Sequence, residues 1–357
     1  MKTSLRLAGA FIGLIVGVGF ASGQEVLQFY ASHGRYGFLA AIAAAGMFSF
    51  MTMVLFQIGS QLQTKSHKEA IEYICGPRLG KLVDVILTVF LFCVILMMLA
   101  GAGASFQQQL GLPNIAGSLT IAVATVITVC LGLRKVITLM SWITPVLIPI
   151  LIALAIYAVN TTELTVEQIE ALAAVQPRAV DNWLLSALLY VSSNIAGTAP
   201  VLIIMGGSVL QAKCARNGGL IGGVLMGAML MVMVVVLLAK INVIGGSPIP
   251  TLALITEASP ILGNIMLGML MIKLYATVSG LSYALTARLQ AYGMKKQLAA
   301  VLSVGTPLLF TSVGFISLVG TLLTFMGYVG LLLMSCIVVT WFKSYFTKSP
   351  IGQKAVS

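Results

Sequence analysis

The sequence predicts an all-α membrane protein of about ten transmembrane helices, arranged as a five-plus-five inverted repeat with helices 1 and 6 broken. Three observations carry this prediction. Apolar runs of spanning length follow one another along the chain, basic residues collect in alternate gaps between them, and two spans five helices apart are interrupted by small and polar residues.

Composition excludes a water-soluble fold. Of the 357 residues, 59 % are apolar and 8 % charged, against roughly 45–50 % and about 25 % in an ordinary soluble domain. A span needs roughly 18 or more apolar residues, and hydropathy places such spans at 5–30, 36–62, 82–109, 115–133, 136–159, 182–208, 218–240, 261–287, 297–315 and 319–342. The N-terminus resembles a signal peptide, with Lys2 and Arg6, an apolar run, then Ala21-Ser22-Gly23. Retention as the first helix is expected, because removing it would spoil the charge pattern.

The net charge of +11 would suggest nucleic acid in a soluble protein. Here its placement points to a lipid bilayer instead. Lys65, Lys68, Arg78, Lys81, Arg134, Lys135, Lys213, Arg216, Arg288, Lys295 and Lys296 fall in even-numbered gaps, and Lys343, Lys348 and Lys354 in the tail. Only Arg35, Arg178 and Lys240 fall in odd ones. By the positive-inside rule both termini are cytoplasmic. The longest external gap, Asn160 to Asp181, contains Thr165 and Gln168 in capping-box spacing, which predicts a short surface helix. The five cysteines are scattered without paired spacing, so neither a disulfide framework nor a metal site follows. His33 and His67 lie in loops without a catalytic motif, and no enzyme is expected. Nothing in the pattern fixes an oligomeric state.

The interrupted spans match. The first contains Gly17-Val18-Gly19-Phe20-Ala21-Ser22-Gly23-Gln24-Glu25 and the sixth Ser192-Ser193-Asn194-Ile195-Ala196-Gly197-Thr198-Ala199-Pro200. Gly, Pro and side chains that bond backbone disfavour a continuous helix in both. A second correspondence follows in each half: Pro77-Arg78-Leu79-Gly80 and Pro260-Ile261-Leu262-Gly263 each end a short segment and open the next long helix. The first is flanked by basic residues and the second is not, as opposite orientations require. The expected division is 1–160 for the first repeat, 161–181 for an extracellular connection, 182–342 for the second repeat and 343–357 for a cytoplasmic tail.

Unwound backbone is tolerated within a bilayer only where protein or a cavity surrounds it. Its freed N–H groups attract anions and its freed carbonyls coordinate cations. Two facing breaks would therefore hold a zwitterion or carboxylate with an ion beside it.

At these residues the chain resembles the amino acid–polyamine–organocation superfamily and its leucine-transporter-like fold. Residues 12–25, Ile-Gly-Leu-Ile-Val-Gly-Val-Gly-Phe-Ala-Ser-Gly-Gln-Glu, are similar to the YkvI-type bacterial membrane proteins. The resemblance implies an ion-coupled secondary transporter of a small solute, an amino acid or relative, in the bacterial plasma membrane. By position it implicates Gly17, Val18, Gly19 and Phe20, with Asn194, Ala196 and Gly197 opposite. Phe20 or Tyr190 would close over the solute. For sodium it implicates the carbonyls of Gly13 and Val16 with hydroxyls on helix 8, where Thr277 and Ser279 stand. Val278 separates those two, a departure from the adjacent pair of sodium-using relatives, so coupling to sodium ions or to protons stays open. A non-transporting sensor built on the same fold, or a channel, is the rival reading.

Two ionisable residues are hard to place outside the bilayer. Lys273 lies near the middle of helix 8, where a Lys costs about 2.5–3.5 kcal/mol. It is a structural ion-pair member, a proton carrier, or a cation standing where relatives hold sodium. Glu25 follows the first break and is either its partner or a cap for free N–H groups. Gln107, Gln108 and Gln109 end helix 3 and read as interfacial.

Overall fold

The computed structural model describes residues 2–63, 67–131 and 134–346, without the side chains at 18, 67–72, 77–82, 84, 134–147 and 344–346. Lys65, Lys348 and Lys354 lie outside the described residues, as do the side chains of Val18, His67, Lys68, Arg78, Lys81, Arg134 and Lys135. Every regular element among the described residues is helical.

The first span is three pieces, α1 (Lys2–Ile15), α2 (Val18–Ser22) and α3 (Gln24–Phe29), followed by a 3-10 turn at Ala31–His33. Then come α4 (Tyr36–Leu62), α5 (His67–Leu110), α6 (Asn114–Leu131), α7 (Arg134–Thr161) and α8 (Val166–Ala174). The second half holds α9 (Trp183–Gly207), α10 (Ala212–Ala239), α11 (Ile241–Ile244), α12 (Pro250–Ala258), α13 (Pro260–Ala291), α14 (Lys296–Leu309) and α15 (Phe315–Phe346). Eight helices among the described residues are each long and apolar enough to cross a membrane. The 28-residue α7 and the interrupted first span bring the layout to ten. The apolar end of α7 and α8 are bent by 120°, so α8 turns away from the span. Its capping box at Thr165 and Gln168 is formed as the spacing predicts.

The halves share a device. Before α13, the nine residues of α12 end at Ser259 and Pro260 opens the long helix at its first turn, where its missing N–H costs nothing. Within α5, the backbone breaks at Gly76, with φ 75° and ψ 167°, immediately before Pro77. Each half therefore carries a short helix, a break and a proline-initiated span at the matching place.

Packing divides the helices into two groups. In one, α10 packs on α4 and α1, and α4 packs on α9. Glycines permit the closest approaches: a side chain at Gly219, Gly223 or Gly227 of α10 would overlap Met53, Ser49 or Ala45 of α4, the small-residue contact membrane helices use. In the other, α5, α6, α13 and α14 pack on one another. Among the described residues α13 packs against α2 but not appreciably against α1 or α9.

The expected break in the sixth span is not formed. α9 runs as one helix from Trp183 to Gly207 with Pro200 inside it. The polar residues that argued for a break bond back to their own helix: Ser193 to the Tyr190 carbonyl, Asn194 to the same carbonyl at 2.9 Å, and Thr198 to the Asn194 carbonyl at 2.7 Å. Such bonds satisfy a side chain without opening the backbone. Pro200 removes a single donor, and no glycine in α9 takes a positive φ.

Candidate functional site

The break in the first span begins where Gly17 N–H turns to the Ile15 carbonyl at 2.6 Å. That contact releases the Gly13 carbonyl, which Gly17 would cap in a continuous helix. One turn of helix follows, and Gly23 ends it at φ 80°, a left-handed conformation that glycine adopts without a Cβ clash. Any Cβ at 23 would also press on Thr251 and Pro250 at 3.1 and 3.2 Å. Ser22 Oγ stabilises the second break by donating to the Gly19 carbonyl and accepting from Gln24 N–H. The run of Gly, Ser and small residues thus encodes two joints rather than one.

Glu25 folds back across this segment. Its carboxyl lies over Gly19, in the space that a side chain there would fill. From α9, Tyr190 faces Glu25 and Asn194, and Tyr30 is close enough to feel the same charge. The Tyr30 and Tyr190 rings meet edge to face with centroids 5.2 Å apart. Both phenols are buried with no hydrogen-bond partner among the described residues, as is the Gln24 side-chain oxygen. Buried polar atoms are nearly always paired, so two orphan phenols beside a half-buried carboxylate mark a place prepared for a guest or water.

Two of the expected site residues are placed elsewhere. Ala196 packs on α15, where a side chain at Gly330 would come within 3.2 Å of its Cβ, so its face is occupied by protein. Phe20 is buried away from solvent. It lines a small open cavity with Val16, Ala21, Leu154, Met233 and Ile255, in which Glu25 and Tyr190 take no part. That cavity is almost wholly apolar, and its Thr251 hydroxyl is already donated to the Ala21 carbonyl at 2.6 Å. Gly17 is half-buried and Gly197 exposed, with open space where a side chain at 197 would stand. Asn194, Gly197, Thr198 and Val201 form a partly exposed strip along one face of α9, leading from Tyr190 toward the basic end. Val18 contributes backbone to α2; its side chain is outside the described residues.

The ion-site candidates do not converge. Ser279 is fully buried and turned to Thr125 of α6, and Tyr275 bonds Thr128 of the same helix at 2.5 Å. Thr277, two residues from Ser279, lies half-buried on a different face of α13. Val16 is buried and lines the apolar cavity. Lys273 is buried on α13, and Glu25 is turned to Tyr190 rather than to it. The ion pair formed among the described residues is Lys240–Glu257, at 3.5 Å.

Opposite the basic loops, hydrogen bonds fasten the helices to one another. The Gln108 amide grips the backbone of Ile249 with both atoms, donating to its carbonyl at 3.0 Å and accepting from its N–H at 2.9 Å. Gln109 bonds Thr256 and Asn264. Gln107–Gln109 are interfacial in position, but two of the three are clamps between α5 and the α12 hairpin. Around the first span, Gln28 donates to Ile316, Arg178 to the Ser32 carbonyl, and Glu170 accepts from Arg35 N–H. His33, outside the spans, is held at a pKa lowered to about 4, first by burial and then by the Arg178 charge, with Asp181 opposing.

No protein-family model matches the chain. It is 26 % identical over 334 residues to the uncharacterized membrane protein YkvI of Bacillus subtilis, covering 91 % of this chain and 92 % of that one. It is 28 % identical over 329 residues to the uncharacterized protein YyaD of the same organism, covering 92 % and 94 %. The chain is a homologue of these proteins, which bears out the resemblance read from residues 12–25. Among solved structures it is similar to Mhp1 in its inward-facing conformation (12 % identity, TM-score 0.67, covering 95 % of this chain and 76 % of that one). It is also similar to MhsT in complex with L-phenylalanine (16 %, 0.58, covering 88 % and 80 %) and to a manganese transporter of Eremococcus coleocola (12 %, 0.61, covering 98 % and 81 %). The fold is the leucine-transporter-like one.

Proposed function

We propose that this chain is a secondary active transporter that moves a small zwitterionic solute, an amino acid or a related compound, across the bacterial plasma membrane. It works by alternating access, with both termini cytoplasmic. The observation that carries the reading is the Glu25 carboxylate over Gly19, beside an interrupted helix and two buried phenols without hydrogen-bond partners among the described residues. A carboxylate there selects an ammonium group, and the unwound backbone at Val16 and Gly17 offers hydrogen-bond sites to the rest of the solute. This sharpens the solute class: a plain carboxylate would meet repulsion from Glu25, whereas a zwitterion or amine would not.

The joints at Gly17 and Gly23, together with the hydrogen bonds that fasten α5 to the α12 hairpin, support a cycle in which the site faces one compartment at a time. The shared fold supports transport as the activity, because neighbours with that fold carry different cargoes. Coupling to an ion completes the proposal.

The test is uptake into proteoliposomes containing the purified chain, with each labelled amino acid offered in turn. Saturable, protein-dependent uptake of at least one, abolished in Glu25→Gln, is the expected result. Binding of such a compound without any uptake would instead identify a sensor built on this fold.

A further inference from the structure

We infer that Glu25 is a shared site, occupied alternately by the ammonium group of the solute and by a proton, so that the protein exchanges the two. The inference rests on the reading above, in that the solute bears an amine, and it adds both the coupling ion and the sense of the coupling.

The physical argument starts from the empty return step. A transporter must reorient once with solute and once without it. Closing the site over an ionised, unpaired carboxylate costs several kcal/mol or more. With an ammonium bound the carboxylate is paired; after release it needs another positive charge.

Among the described residues, none is shown facing Glu25. α3 packs against α2, α9, α10, α15 and the turn at Ala31–His33. α9 presents Tyr190 and α3 itself leads into Tyr30, both neutral phenols. α10 has no ionisable residue between Asn217 and Ala239, and Tyr328 of α15 is exposed. His33 faces Arg178 and Asp181. On α13, which packs against α2, Lys273 is buried and has an interaction of its own, whereas the side chain that faces Glu25 is Tyr190. Sodium is the other candidate, and of the α13 hydroxyls expected for such a site Ser279 faces Thr125 of α6 while Thr277 lies on a different face.

The phenols fit a group that changes its charge. A hydroxyl donates to a carboxylate and accepts from a carboxylic acid, so the Tyr190 and Tyr30 hydroxyls can serve both forms. A Lys or Arg in their place would hold Glu25 ionised throughout. The exchange balances simply: protonated Glu25 releases its proton to the water on the open side as the solute's ammonium pairs with the carboxylate, and the reverse occurs on the other side.

Two measurements on the purified full-length chain test this. The first needs no solute: infrared difference spectra across pH read the C=O stretch of a protonated buried carboxyl. The expected result is a band that disappears on raising pH in wild type and is absent in Glu25→Gln, with Tyr190→Phe shifting its midpoint. A wild-type spectrum without a Glu25-dependent band overturns the inference. The second adds each of the amino acids, and putrescine as a plain diamine, to the protein in unbuffered detergent solution while a pH indicator reads proton release. Compounds that raise the melting temperature should release close to one proton per chain in wild type and none in Glu25→Gln. Stabilisation without release, or release that persists in the variant, overturns the exchange while leaving amine transport standing. If no compound stabilises the chain, the proposed solute class fails instead, and the infrared band still decides whether Glu25 carries a proton.

Discussion

The carboxyl of Glu25 occupies the volume in front of the Gly19 Cα, where every other amino acid would place its Cβ. One residue is small so that the other can fold back across the joint between α1 and α3. The contact involves the far end of a flexible side chain, so it constrains where the charge sits far more than it constrains the backbone.

Gly19→Ala therefore separates function from folding. The added methyl displaces the Glu25 carboxyl, which can swing away with little cost to the fold. The melting temperature should change by only a few degrees, while solute-dependent stabilisation and uptake fall by at least an order of magnitude. Uptake at wild-type levels in this variant would show that the placement of Glu25 is irrelevant.

The two buried phenols should behave differently when their hydroxyls are removed. An unpaired buried hydroxyl contributes nothing favourable, so Tyr30→Phe is expected to be neutral or stabilising by up to about 1 kcal/mol. Tyr190→Phe removes the group that faces Glu25, so it should move the pH dependence of uptake as well. Thermal unfolding and a pH profile of both variants check this. Equal effects of the two on the profile would remove Tyr190 from the site.

Gln108→Ala breaks both hydrogen bonds to Ile249 and leaves that backbone N–H and carbonyl without them. The expected loss is about 1–3 kcal/mol. The same change should loosen the closed side: a cysteine introduced at Ala21, beneath Thr251, should react faster with a membrane-impermeant maleimide added from that side. Unchanged labelling would mean that Gln108 fastens the hairpin without controlling access.

Much of this was legible in the sequence, and the reasons are physical. Spans, their order and their charge asymmetry follow from hydrophobic length and Lys/Arg placement, which lipid imposes on every segment independently. The joint at Gly17–Gly23 was legible because small residues were concentrated there. The sixth span was misread because Ser193, Asn194 and Thr198 permit an opening without requiring one; bonding back to their own helix satisfies them equally. Gln108 was read only as interfacial and Tyr30 was missed, because their importance lies in what they meet from other helices, and no local pattern announces a tertiary partner. Glu25 was found from its depth, but the neighbour expected for it was Lys273, and the phenol that faces it comes from α9.

His33 gives the protein a dependence on pH that is separate from transport. Unfolded, this imidazole takes up a proton near 6.5; folded, it resists until about 4. The unfolded state binds more protons between those values. The stabilising contribution is therefore complete above about 6.5 and is lost progressively as pH falls toward 4. Melting temperatures of wild type and His33→Gln should converge or cross in that window while running parallel above it. Parallel curves down to pH 4 would show that His33 is not buried in solution.

The continuity of α9 has a mechanical corollary. Running as one helix from Trp183 to Gly207 and short only of the Pro200 N–H, α9 has no glycine joint, whereas the first span has pivots at Gly17 and Gly23. One leaf of the gate swings and the other serves as its post, so spin labels across α1 and α3 should report changing distances through the cycle, while a pair placed along α9 should keep one spacing throughout.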